Sequence, residues 1–121
     1  MSATAPMPST WAALVTALHE RHPVQVSYHG RHRIVCPHAL GWKSQRPLLL
    51  AYQTGGQTST GTLPPDPTKR WRCLFIDEID HVTTGVAAPW QTASNYDPSQ
   101  PFPTPVELVV AIGPNGGPSP S

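Results

Sequence analysis

Pro23 separates two hydrophobic periods, and that change constrains the fold of this chain more than any other feature. Ahead of it, "PSTWAALVTALHERHP" carries Trp11, Leu14, Val15 and Leu18 at i, i+3, i+4 and i+7, the apolar stripe of a short helix. Ser9 or Thr10 can cap its start, and Pro23 forces its end. Beyond Pro23 the period falls to two. Val24, Val26 and Tyr28 alternate with Gln25, Ser27 and His29, Gly30 turns the chain, and Ile34–Val35 resume, which is a hairpin pattern. "ALGWK" and "PLLLAYQ" are further strands around the polar turn "SQR". In "KRWRCLFIDEIDHV", Trp71, Cys73 and Phe75 share one strand face, and Arg72, Leu74 and Ile76 the other. That strand is apolar on both sides beyond Arg72, as suits burial within a small closed barrel. The expected fold is mainly β with one N-terminal helix.

The chain has 121 residues, enough for one small domain, and its 16 prolines and 9 glycines exceed a fifth of it, which predicts unfolded stretches. The expected organisation is a disordered N-terminus at 1–8 and a helix-plus-barrel domain at 9–86. A Pro-rich linker follows at 87–105, then a possible extra strand at 106–112 ("VELVVAI" lies within it) and a disordered tail at 113–121. An isolated strand is not stable in water, so 106–112 must add to an edge of the main sheet or pair with another chain. "TGGQTSTGTLPPDPT" reads as an exposed loop.

A net charge of +1 conceals a polarised chain. All eight Lys and Arg lie between positions 21 and 72 with Asp66 as the one acid among them, a local +7, and five acids with no base follow Arg72. Arginines on neighbouring strands can grip phosphate bidentately, and a nearby tryptophan can stack on a base. The candidate ligand site is therefore Arg33 and Arg72, supported by Arg31, Arg70, Lys69 and Trp71, with His38 adding positive charge at low pH. The competing reading makes Trp71 a core residue and lays the stem of Arg72 over the barrel mouth.

Other chemistries fit less well. His29, His32, Cys36 and His38 invite a zinc site, but Ile34 interrupts them and no second ligand pair lies nearby, so no metal is expected. Cys36 and His38 point the same way along a strand about 7 Å apart, beyond the reach of a catalytic dyad. Asp77, Glu78 and Asp80 close a strand and are not set as catalytic carboxylates, and the Gly-rich loop lacks the Gly-Lys-Ser/Thr ending of a phosphate loop. No enzyme activity and no cofactor are expected. Cys36 and Cys73 read as buried reduced thiols, and the absence of a signal peptide or a long apolar span predicts a cytoplasmic protein without membrane contact.

One helix followed by four or five strands, with "RIVCPHAL" on the second, "LLLAY" on a later one and "RCLFIDEIDHV" on the last, resembles the WYL domain. The resemblance covers roughly residues 12–83. It rests on Arg33, Val35 and Pro37 at alternate positions, Leu40, the Leu49–Ala51–Tyr52 strand, and Arg72 with Ile76, Asp77 and Ile79. It implies a small SH3-like or Sm-like barrel of about five strands, followed here by a Pro-rich extension. It also implies a regulatory, ligand-sensing role of the kind found in bacteria near phage-defence systems, a nucleic-acid or nucleotide-like ligand, and Arg33 and Arg72 as contacts. The name-giving Trp-Tyr-Leu is replaced by Pro47, Leu48 and Leu49, and Glu78 stands in place of an arginine. The first change removes an aromatic contact; the second puts negative charge where a phosphate would sit. With no winged-helix segment before Trp11, the expected role is an accessory module of a larger complex, with a protein partner or a second copy of itself. The alternative is a protein–protein adaptor that donates the C-terminal strand.

Overall fold

A computed structural model of the protein describes residues 6–56, 63–97, 99–102 and 106–112, with side chains from residue 9 onward. Helix α1 spans Pro6–Glu20, one turn earlier than the Ser9/Thr10 cap predicts. Prolines are tolerated there because first-turn N–H groups have no intrahelical acceptor. Leu14, Ala17 and Leu18 are buried, and Trp11 stacks on Trp42 with ring centroids 5.6 Å apart. The helix closes through a paired C-terminal motif: Arg21 takes φ +56°, its N–H donates to the Leu18 carbonyl (3.3 Å), and the His22 N–H donates to that of Ala17 (3.0 Å).

The strands are β1 (Val24–Tyr28), β2 (Arg31–Lys43), β3 (Arg46–Gly56), β4 (Trp71–Phe75), β5 (Ile79–Thr83) and β6 (Glu107–Ala111). They form one six-stranded sheet with order β4-β3-β2-β1-β5, every neighbouring pair antiparallel. β3 borders β2 along nearly its whole length. On the opposite side β1 pairs with residues 31–35 of β2, and β6 pairs with residues 39–42. The strand expected at 106–112 thus joins the chain's own sheet. No ladder joins β4 to β5 among the described residues, so the sheet is open. A three-residue 3-10 turn, Ile76–Glu78, nonetheless ties these outermost strands together, and the Phe75 N–H donates to the Tyr28 hydroxyl (3.2 Å). Since extended chain spans at most about 3.6 Å per residue, so short a link requires the sheet to curl.

The curl creates two cores. Leu14 and Leu18 of α1 pack with Val24, Val26, Val35, Leu49, Leu74, Ile76 and Ile79. On the other face of the sheet, Cys36, Tyr52 and Ala93 are buried with Trp71 and Trp90 against them. Both cores correct the expected linker at 87–105: Ala93 is buried in the second and Tyr96 and Phe102 in the first, and the Tyr96 hydroxyl donates to the Ile112 carbonyl (2.8 Å), fastening the segment after β6. Prolines abolish periodicity there without preventing burial. Cys73, expected to be buried, is exposed, because β4 lies at the edge of the sheet. No helix among the described residues is long and apolar enough to cross a membrane.

Both β1–β2 and β2–β3 are two-residue hairpins with positive φ at each central residue, His29 (52°) and Gly30 (77°), then Ser44 (50°) and Gln45 (67°). Such turns match the right-handed strand twist, and Asn-Gly adopts them with little strain. The second turn uses two side-chain-bearing residues with no local relief. The double substitution Ser44→Asn, Gln45→Gly is expected to stabilise the fold by about 1 kcal/mol, seen as a higher denaturant midpoint at unchanged m-value.

Candidate anion-binding site

Register decides which side chains meet. Arg33 lies opposite Val26, Val35 opposite Gln53, and Arg72 opposite Ala51. Since alternate residues share a face, Arg33, Gln53 and Arg72 project from one face, the face of Val26 and Val35, at its polar end. Between Ile34 and Val35 the β2–β3 register slips, leaving Thr54 as an extra residue on β3. Gly56 then crosses close to β2 at φ +85°; a Cβ there would lie 2.4 Å from the His32 carbonyl oxygen and 2.7 Å from the Arg33 Cα. Only glycine fits beside Arg33 without displacing backbone.

The two guanidinium groups converge on one neutral acceptor. Arg72 Nε donates to Gln53 Oε1 at 3.0 Å, and Arg33 Nη1 points at the same oxygen from 3.5 Å. Gln53 is itself fully buried, with its Nε2 donating to the Gly55 carbonyl (3.0 Å). Arg72 Nη1 donates to the Trp71 carbonyl (3.2 Å). Arg33 retains only 7% exposure, lies over the Tyr28 ring (5.7 Å to the centroid), and has a buried Nε without a hydrogen-bond partner among the described residues. Burial, reinforced by the charges of Arg72 and Arg31, pushes the Arg33 pKa down. Neither Arg33 nor Arg72 forms an ion pair among the described residues. The ion pairs found there are Arg46 with Asp77 and Glu78, and His29 with Glu78. Glu78 is therefore already engaged by Arg46 and His29, whose hydrogen bonds hold its carboxyl below the usual range.

The remaining expected site residues divide. Arg31 begins β2, half-buried, and its charge reaches Arg33. Lys69 is exposed on the 3-10 turn Pro67–Lys69. Arg70 is occupied, its Nε donating to the Pro64 carbonyl (2.8 Å). Trp71 points to the opposite face from Arg72, where it donates Nε1–H to Asn95 Oδ1 (2.8 Å), stacks on Tyr96 (5.6 Å), and lines a cleft of about 440 Å³ with Cys73 and Phe102. It does not join the guanidinium pair. His38 is also a correction: as the extra residue between Pro37 and Ala39 on β2 it is fully buried beneath Trp71, Trp90 and Tyr96. Its Nδ1 donates to the Cys36 carbonyl (2.7 Å) and its Nε2 accepts from the Thr92 hydroxyl (2.9 Å), a neutral ring with both nitrogens used.

Gln53 and Tyr28 are the contributors that the sequence does not single out. A lone glutamine ending the apolar run "PLLLAYQ" was the available signal. Residues 57–62 of the loop lie outside the described residues. Among the described residues no group of three or more His, Cys, Asp or Glu is placed to hold a metal ion. No family model, curated protein or solved structure matches the chain.

Burial pulls the His38 pKa down from 6.5 to about 4. The unfolded chain binds this proton below pH 6.5 and the folded chain does not. The resulting stabilisation is complete above pH 6.5 and is lost as pH falls towards 4, a change on the order of 3 kcal/mol. Denaturant unfolding across that range should show the decline, and His38→Gln should flatten it.

Proposed function

We propose that the protein is a WYL-like module of the SH3-like or Sm-like barrel type. Its Arg33–Arg72 pair binds phosphate on a nucleic acid or a nucleotide-derived ligand, and it serves as a cytoplasmic, regulatory or accessory part of a larger bacterial complex of the phage-defence kind. The strand order, with the outermost strands tied by one 3-10 turn, supports the barrel reading. One observation carries the ligand reading: a cation that is 7% exposed lies beside a second cation, and the acceptor between them is an uncharged amide. A buried charge without a counter-charge costs several kcal/mol, which an incoming anion offsets. Arg33 lies over the Tyr28 ring and Trp71 faces the other way, so affinity comes from charge rather than base stacking.

A binding role rather than catalysis is supported by Cys36, whose thiol burial pushes up to about 11, and by His38, whose ring is held by two hydrogen bonds. A fluorescent single-stranded oligonucleotide is expected to bind in low salt and weaken steeply as salt rises. Arg33→Ala combined with Arg72→Ala abolishes the anisotropy signal. Gln53→Glu, which places a carboxylate between the two guanidinium groups, also abolishes it while leaving a folded protein. Undiminished binding by either variant removes the site.

A protein partner or a second copy is favoured by one further observation. Leu108 and Val109 on β6 are 43% and 53% exposed, the large apolar side chains most open to solvent among the described residues. On that reading, Leu108→Ser with Val109→Ser lowers the apparent mass on size exclusion and changes stability by no more than about 0.5 kcal/mol; an unchanged mass excludes this edge as an interface.

A further inference from the structure

We infer that the phosphate taken by this site is a terminal phosphomonoester, on an oligonucleotide end or a mononucleotide, rather than an internal phosphodiester. The inference rests on the phosphate-binding reading above and adds to it the chemical class of the ligand. Two features of the site select that class.

The first is depth. Arg33 is 7% exposed, with Gly56 backbone against its Cα, the Tyr28 ring beneath its guanidinium and Gln53 fully buried beside it. An internal phosphodiester is flanked by sugars on both sides, so its two free oxygens reach only groups that line an open groove. A terminal phosphate projects beyond its last sugar and can approach a guanidinium group that is exposed over so small an area.

The second is charge and donor count. Arg33 Nε and Nη2 and Arg72 Nη2 make no hydrogen bonds among the described residues, while Arg72 Nε is held by Gln53 and Arg72 Nη1 by the Trp71 carbonyl. Two positive charges thus meet one neutral oxygen, with Arg31 adding to the field from the start of β2. A phosphodiester brings a single negative charge. A phosphomonoester brings close to two above its second pKa of about 6, and three acceptor oxygens. It can therefore satisfy both guanidinium groups, Arg being suited to such forked contacts.

The test uses the full chain and an internally labelled single-stranded oligonucleotide with a 5′-phosphate, a 3′-phosphate, or hydroxyls at both ends. The phosphorylated forms are expected to bind about tenfold or more tightly than the hydroxyl form, an advantage that shrinks below about pH 6 as the monoester takes up a proton. A nucleoside 5′-monophosphate that displaces the oligonucleotide identifies the mononucleotide as a sufficient ligand. Failure to displace assigns the ligand to a polymer end. Gln53→Glu erases the difference between phosphorylated and hydroxyl ends, and thermal unfolding verifies that this variant is folded. Equal binding of all three oligonucleotides, weakened equally by Arg72→Gln, overturns the inference and leaves the phosphate-binding reading standing. No binding of any oligonucleotide or of the monophosphate overturns both.

Discussion

β2 pairs with three strands, and both of its faces are covered. β3 takes one edge, while β1 and β6 share the other because a strand of 13 residues is too long for a single five-residue partner. Burial on both faces explains why Arg33 and Val35 look into the α1 side of the sheet while Cys36 looks into the aromatic layer behind it. Two irregularities in the β2–β3 ladder serve these two layers. The slip at Thr54 precedes Gly56, whose backbone passes against Arg33, and the extra residue His38 turns inward to hydrogen-bond with Thr92. Positions within one strand thus set both the surroundings of Arg33 and the attachment of the C-terminal segment.

The charges of the chain are sorted by the same geometry. The acidic run after Arg72 does not neutralise the basic one. Asp77 and Glu78 are taken up by Arg46, and Glu78 also by His29. That leaves Arg33 and Arg72 with Gln53 as their common partner. An amide can orient two guanidinium groups without cancelling either, whereas a carboxylate in the same place would fill the site it now shapes.

Much of the fold was legible because it depends on period. The change at Pro23, the alternation of Val24, Val26 and Tyr28, and the turn at Gly30 are local signals, and each reappears in α1, β1 and the first hairpin. The meeting of Arg33 with Arg72 could be expected from charge, but Gln53 between them could not, since its role is set by which residue lies across from Val35. Trp71 was misassigned for a simple reason: residues adjacent on a strand point to opposite faces, so Trp71 and Arg72 could not serve one mouth. His38 was counted with the site's positive charges because the bulge that turns it inward leaves no mark on the sequence. Residues 87–105 were read as a linker because prolines mask the apolar pattern of Trp90, Ala93, Tyr96 and Phe102. Their burial arises from the outer face of a sheet formed some fifty residues earlier in the chain, so no local window contains it.

The position of that outer layer carries a consequence for synthesis. A ribosome delivers α1 to β5 before Trp90, Ala93 and Tyr96 exist to cover the back of the sheet. A nascent chain of this protein therefore presents Cys36, Tyr52 and Trp71 to solvent until residues 90–96 emerge. Co-translational exposure of that kind is what chaperones recognise and what favours association between incomplete copies. Termination soon after β5 would leave that hydrophobic back uncovered.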